Sequence, residues 1–99
     1  MFDNPRYVTR GISERIPLEL QILMWTAIDE MKVKKKDYLQ VFRFSLGIEN
    51  GEEFQYVEHS QEQPEYNKKF KLNAVNAVCE KVYVIDDQTH STMLLAEEY

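Results

Sequence analysis

The sequence predicts an α+β domain: one long amphipathic N-terminal helix packed on a mostly antiparallel sheet of about five or six strands. Three observations predict it. Apolar residues recur at helical spacing in IPLELQILMWTAIDEM, the period falls to two from Tyr38 onward, and Asn50-Gly51 separates two alternating stretches. Ninety-nine residues with 43% hydrophobic content suit a single domain over 1–99, large enough to bury a core and too small for two.

A first strand is expected near Tyr7 to Ile12. It leads to a helix from about Ile16 to Lys32, which Ser13 can cap. Pro17 fits its first turn, where the missing N–H has no intrahelical partner, and Glu19 suits the positive end of the dipole. Leu20, Leu23, Met24, Ala27, Ile28 and Met31 form the stripe that faces the core. Leu18, Ile22 and Trp25 form a second, narrower stripe, so the apolar arc is wider than a helix on one sheet needs. Loops of the domain itself cover that stripe, or a partner does. Lys32, Lys34, Lys35 and Lys36 read as a helix end, where cations meet the negative pole; phosphate contact would need further basic residues from elsewhere.

In DYLQVFRFSLGIENGEEFQYVEH the Asn-Gly pair accepts the positive φ of a type I′ turn and thereby sets a register. Glu49 faces Glu52, Gly47 faces Phe54, Ser45 faces Tyr56 and Arg43 faces Glu58. Phe42, Phe44, Leu46, Ile48 and Val57 then form the core face, with His59 opposite Phe42 at the rim as a partly buried, hydrogen-bonded imidazole. HSQEQPEY reads as a solvated loop and YNKKFKLN as an amphipathic strand with a cationic side, while AVNAVC carries no clear pattern. The last hairpin joins Lys81–Asp86 to Thr92–Ala96 through a loop at Asp87 to His90, which pairs Val82 with Leu95, Tyr83 with Leu94 and Val84 with Met93.

Leu39, Val41, Arg43, Phe54 and Tyr56 share the outward face of the first hairpin, and an aromatic and aliphatic patch in that position implies contact. With Trp25 they are the candidate partner-binding residues of a non-enzymatic protein-interaction module. Its partner is expected to be a second copy of the chain or another protein, since a homodimer needs no second gene product. A platform for stacking single-stranded nucleic acid is the weaker alternative, because Glu49, Glu52, Glu53, Glu58, Glu62 and Glu65 fall in a stretch with no Lys or Arg.

The polar cluster Asp86, Asp87, Thr89, His90 and Ser91 raises a further alternative, a metal-dependent or hydrolytic enzyme. Asp86, Asp87 and His90 fall short of the usual zinc set, and the neighbours His90 and Ser91 leave a strand on opposite faces, which is wrong for a triad. An Asx-turn accounts for every one of these side chains, so no catalytic residue, metal or cofactor is expected. A net charge of −5 disfavours general nucleic-acid binding, and no apolar run is long enough to cross a bilayer. The start MFDNPRYVTRG lacks a signal-peptide core and Cys79 stands alone, which together imply a cytosolic protein without an intrachain disulfide.

RYVTRGI and IPLELQILMWTAIDEM near the start, with VYVIDDQTHSTMLLAEEY at the end, resemble a family of short uncharacterised proteins of staphylococcal-type Gram-positive bacteria, grouped as a domain of unknown function. The resemblance covers about half the chain at its two ends. It implies a bacterial cytosolic protein and carries over no activity, cofactor or catalytic residue.

Overall fold

The computed structural model describes residues 1–99. In chain order the elements are strand β1 (Arg6–Val8), helices α1 (Arg10–Arg15) and α2 (Leu18–Asp29), and strands β2 (Leu39–Glu49), β3 (Glu52–Gln61), β4 (Tyr66–Asn73), β5 (Lys81–Asp86) and β6 (Ser91–Leu95). A 3₁₀ turn over Ala96–Glu98 closes the chain. One six-stranded sheet runs in the order β1-β6-β5-β2-β3-β4. It is mixed, because β1 pairs parallel to β6 while every other pair is antiparallel.

This corrects the expected architecture. No long N-terminal helix lies on the sheet; two short helices of six and twelve residues take its place, and strands dominate the fold. The break is at Pro17. The residue before a proline is driven out of the helical region, and Ile16 adopts φ −109° and ψ 117°. Pro17 is the N-cap of α2 and not part of its first turn. Ser13 lies inside α1, whose cap is Thr9, a side chain that accepts from the Ile12 N–H. That cap also truncates the expected strand from Tyr7 to Ile12, leaving Arg6–Val8. At the other end α2 stops at Asp29, so Lys32 to Lys36 lie beyond the helix, whose last turn carries no basic residue.

The Asn50-Gly51 turn sits where both residues take positive φ, 52° and 80°, and all four cross-strand pairs expected for the hairpin are present. Replacing Gly51 by Ala meets no neighbouring atom, so its cost is purely conformational. We expect G51A to lose about 1 kcal/mol in urea denaturation. The hairpin overshoots the core, however. Leu46 is 43% and Ile48 73% exposed, because β5 ends its pairing at Arg43↔Lys81 and nothing covers the far end of β2. Both were expected to be buried.

Fourteen buried residues make one core. It joins Leu20, Met24, Ala27 and Ile28 of α2 and Ile12 of α1 to Phe42, Phe44, Val57, Val82, Val84, Met93 and Leu95 on one side of the sheet. Between β4 and β5 the chain crosses that side as an irregular segment. The buried Gln55 amide holds it by accepting from the Val78 N–H at 2.7 Å and donating to the Val78 carbonyl at 3.0 Å. Every buried helical residue belongs to this side, so the other face of the sheet has no helical cover.

Candidate interaction surface

Period-two alternation decides what the uncovered face displays. With Phe42, Phe44, Val57, Val82 and Val84 turned into the core, the ladder puts Leu39, Val41 and Arg43 of β2 on the other side, level with Ile85, Tyr83 and Lys81 of β5. Phe54, Tyr56 and Glu58 of β3 stand beside Asn73, Lys71 and Lys69 of β4. The five sheet residues singled out in the sequence thus lie on one face. Tyr83, Ile85, Lys81, Lys69 and Lys71 join them only through the pairing of β5 with β2 and of β4 with β3, which the local pattern does not reveal.

The face is apolar in its middle and paired at its charges. Arg43 is exposed and 3.9 Å from Glu58. The Lys71 ammonium is 3.1 Å from Glu49 and 4.4 Å from the centre of the Phe54 ring. The Tyr56 hydroxyl donates to Glu49 while its ring lies over Gly47, where a Cβ would come within 2.4 Å of the ring. Glycine is therefore required for that close approach. The bond from Tyr56, and then Lys71, holds the Glu49 carboxyl below its ordinary range, and the same bond raises the Tyr56 phenol. Two hollows meet at Arg43. One, of about 680 Å³, includes Ser45, Tyr56, Lys69 and Lys81; the other, of about 180 Å³, includes Leu39, Val41 and Ser60.

Trp25 lies elsewhere. It is half-buried on α2, on the helical side of the sheet, with the Arg6 guanidinium 4.8 Å above its ring. Arg6 in turn bonds Asp29 at 2.5 Å, fixing the cation between the indole and the end of the helix. The candidate contact residues therefore occupy two opposite surfaces.

At Asp86, Asp87 and His90 each polar group has a local partner. The buried Asp86 carboxylate accepts from the Phe2 N–H at 2.6 Å, the Gln88 N–H at 2.7 Å and the Asn4 amide at 3.0 Å. Asp87 accepts the Thr89 and His90 N–H groups through one oxygen, both at 2.9 Å, which is an Asx-turn. Its carboxyl is held low by the Thr89 hydroxyl first and the His90 N–H second. No three His, Cys, Asp or Glu side chains group to hold a metal ion.

A polar cluster inside the core went unseen in the sequence. His59 is fully buried, not at the rim, and stacks on Phe42 with ring centroids 4.2 Å apart. Gln40 donates to the Asp37 carbonyl at 2.9 Å and to Gln61 Oε1 at 2.7 Å, so its own oxygen must point at His59 Nε2, 2.6 Å away. The imidazole thereby carries its proton on Nε2, and Nδ1 is left buried without a partner.

No helix is long and apolar enough to cross a membrane. A search of curated proteins finds no match. A crystal structure of a protein of unknown function from Enterococcus faecalis superposes with a TM-score of 0.74 at 24% identity, covering 98% of this chain and 92% of that one, a likeness of fold. The family model described as "Staphylococcal protein of unknown function (DUF960)" matches residues 5–98. With all but the two ends of the chain inside that match, the protein belongs to the DUF960 family.

Proposed function

We propose that this is a non-enzymatic, cytosolic protein-interaction module whose contact surface is the bare face of its sheet. The observation that carries the reading is the asymmetry of cover. One side of the sheet holds the whole fourteen-residue core, whereas the other presents Leu39, Val41, Phe54 and Tyr56 half-buried with no helix above them, and Tyr83 met only by the edge-on ring of Tyr99 at 5.5 Å. A sheet face rich in aromatic and β-branched side chains is the kind of surface that a two-layer domain hides against something else. Arg43 and the flanking ion pairs supply the polar margin that such contacts use. A stacking platform for single strands fits less well, since Arg43 and Lys71 already face Glu58 and Glu49.

A photo-reactive benzoylphenylalanine placed at Tyr56 tests this in cells that naturally express the protein, with the same group at exposed Gln63 as control. A discrete protein adduct is expected from position 56 and none from 63. Equal labelling at both positions, or no adduct at 56, would remove the sheet face as an interaction surface.

A further inference from the structure

Two apolar surfaces lie on opposite sides of this molecule, and each lacks a layer that the other would supply. α2 turns Leu20, Met24, Ala27 and Ile28 into the core. At 3.6 residues per turn Leu18 and Ile22 fall on the opposite side of the helix, and they are 66% and 56% exposed, with Trp25 at their margin. The bare sheet face, for its part, has apolar strands and no helix. An apolar stripe on a helix and an apolar face on a sheet are the two halves of one standard layer contact.

The dimensions and charges agree. A twelve-residue helix is about 18 Å long, enough to lie across the four strands β5, β2, β3 and β4, which span about 14 Å from first to last. α2 contains Glu19 and Asp29 and no basic residue, and Glu30 follows at its C-cap; the lysine run begins only at Lys32, past the helix. The sheet face presents Arg43, Lys69, Lys71 and Lys81 around Glu58, with Glu49 and Glu52 confined to the hairpin mouth. Arg6 offsets one of the three acids at α2, and Glu58, Glu49 and Glu52 offset three of the four cations on the sheet face, so the helix keeps a negative surplus and the sheet face a small positive one, of opposite sign.

We infer that the chain associates head to tail, with α2 of one copy lying across the bare sheet face of the next. This rests on the sheet face being an interaction surface and names its occupant as a second copy. The contact is heterologous: each copy uses two different surfaces, so growth continues past a dimer unless the rotation closes a ring.

Sedimentation velocity on two complementary variants tests it. Ile22→Glu damages the helical stripe and Arg43→Glu reverses the sheet-face charge, both at exposed positions. The parent protein is expected to show a mass of two or more chains at about 100 µM. Each variant alone should be monomeric there, with association weakened at least tenfold. An equimolar mixture should recover a two-chain species, because the intact sheet face of one variant can take the intact helix of the other. Should either variant fail to melt cooperatively, Leu18→Glu and Val41→Glu replace it.

If I22E associates normally while R43E does not, the contact is face to face and the head-to-tail arrangement is wrong. A mixture that stays monomeric, or a parent protein monomeric at about 100 µM, overturns it too. Neither result touches the sheet face itself, which stands or falls by the adduct at position 56. An adduct there to a different protein would retain the surface and remove the second copy.

Discussion

Lowering the pH from 7 to 4.5 is expected to cost the folded protein about 2 kcal/mol through His59 alone. Burial first, and the nearby Lys68 ammonium second, push this imidazole from its ordinary 6.5 down to about 4. The geometry says why. Nε2 is committed to Gln40, one ring face is stacked on Phe42, Tyr66 closes an edge at 5.3 Å, and Nδ1 meets no acceptor. A proton on Nδ1 would place a charged donor in a dry cage beside a lysine. As the pH falls below 6.5 the unfolded chain takes up a proton that the folded chain refuses, so His59 contributes its full stability above 6.5 and loses it between 6.5 and about 4. Urea midpoints measured from pH 7 to 4.5 should fall along that curve. His59→Leu leaves the Gln40 oxygen unpaired and lowers stability at every pH, but it should flatten the slope. A slope unchanged in H59L would mean that the imidazole is not the group responsible.

The same residue marks how far the sequence could be read. The Asn-Gly turn fixes a two-residue register, so placing His59 opposite Phe42 follows from local pattern alone. What buries it does not: the Gln40 and Gln61 amides and Tyr66 converge from both hairpin strands and from β4, and nothing nearby in the chain records that. Local signals likewise suffice for the terminal hairpin, where Val82, Tyr83 and Val84 meet Leu95, Leu94 and Met93 as expected. They fail at Pro17, where helical spacing on both sides of the proline suggested one long helix, while its steric effect on Ile16 divides it into two. They fail again at β1, whose parallel partner β6 is more than eighty residues away. Of the candidate surface, alternation alone put Leu39, Val41, Arg43, Phe54 and Tyr56 on one face. Trp25, grouped with them by chemistry, stands on the far side of the core.

Asp86→Ala is expected to lower stability by about 4 kcal/mol, chiefly by releasing the N-terminus. Asp86 is buried, and burial alone would raise its carboxyl, but hydrogen bonds from Phe2, Gln88 and Asn4 outweigh that and hold it below 3.8. Two of these donors are on the first four residues of the chain. They hold Phe2 at φ 65°, a conformation that disfavours any L side chain, with its ring fully sunk in the core. Asn4 is bonded a second time by the Ser91 hydroxyl at 2.6 Å, and the Ser91 N–H reaches the Pro5 carbonyl at 2.9 Å. The carboxylate that stood out as a metal candidate is thus the anchor of a terminal segment that inserts an aromatic ring. Phe2→Ala should cost about 4 kcal/mol by itself, as a buried ring removed from a packed core. If one anchoring event underlies both losses, the double variant falls short of their sum by about 2 kcal/mol in a double-mutant cycle. Additive losses would show that Asp86 and Phe2 act independently. Asp86→Asn keeps the shape without the charge and should lose the part of the acid sensitivity below pH 3.8, because a depressed carboxyl contributes stability above its unfolded value and surrenders it as the pH falls through the folded one. His59 acts at higher pH, so the two variants remove separate segments of one stability profile.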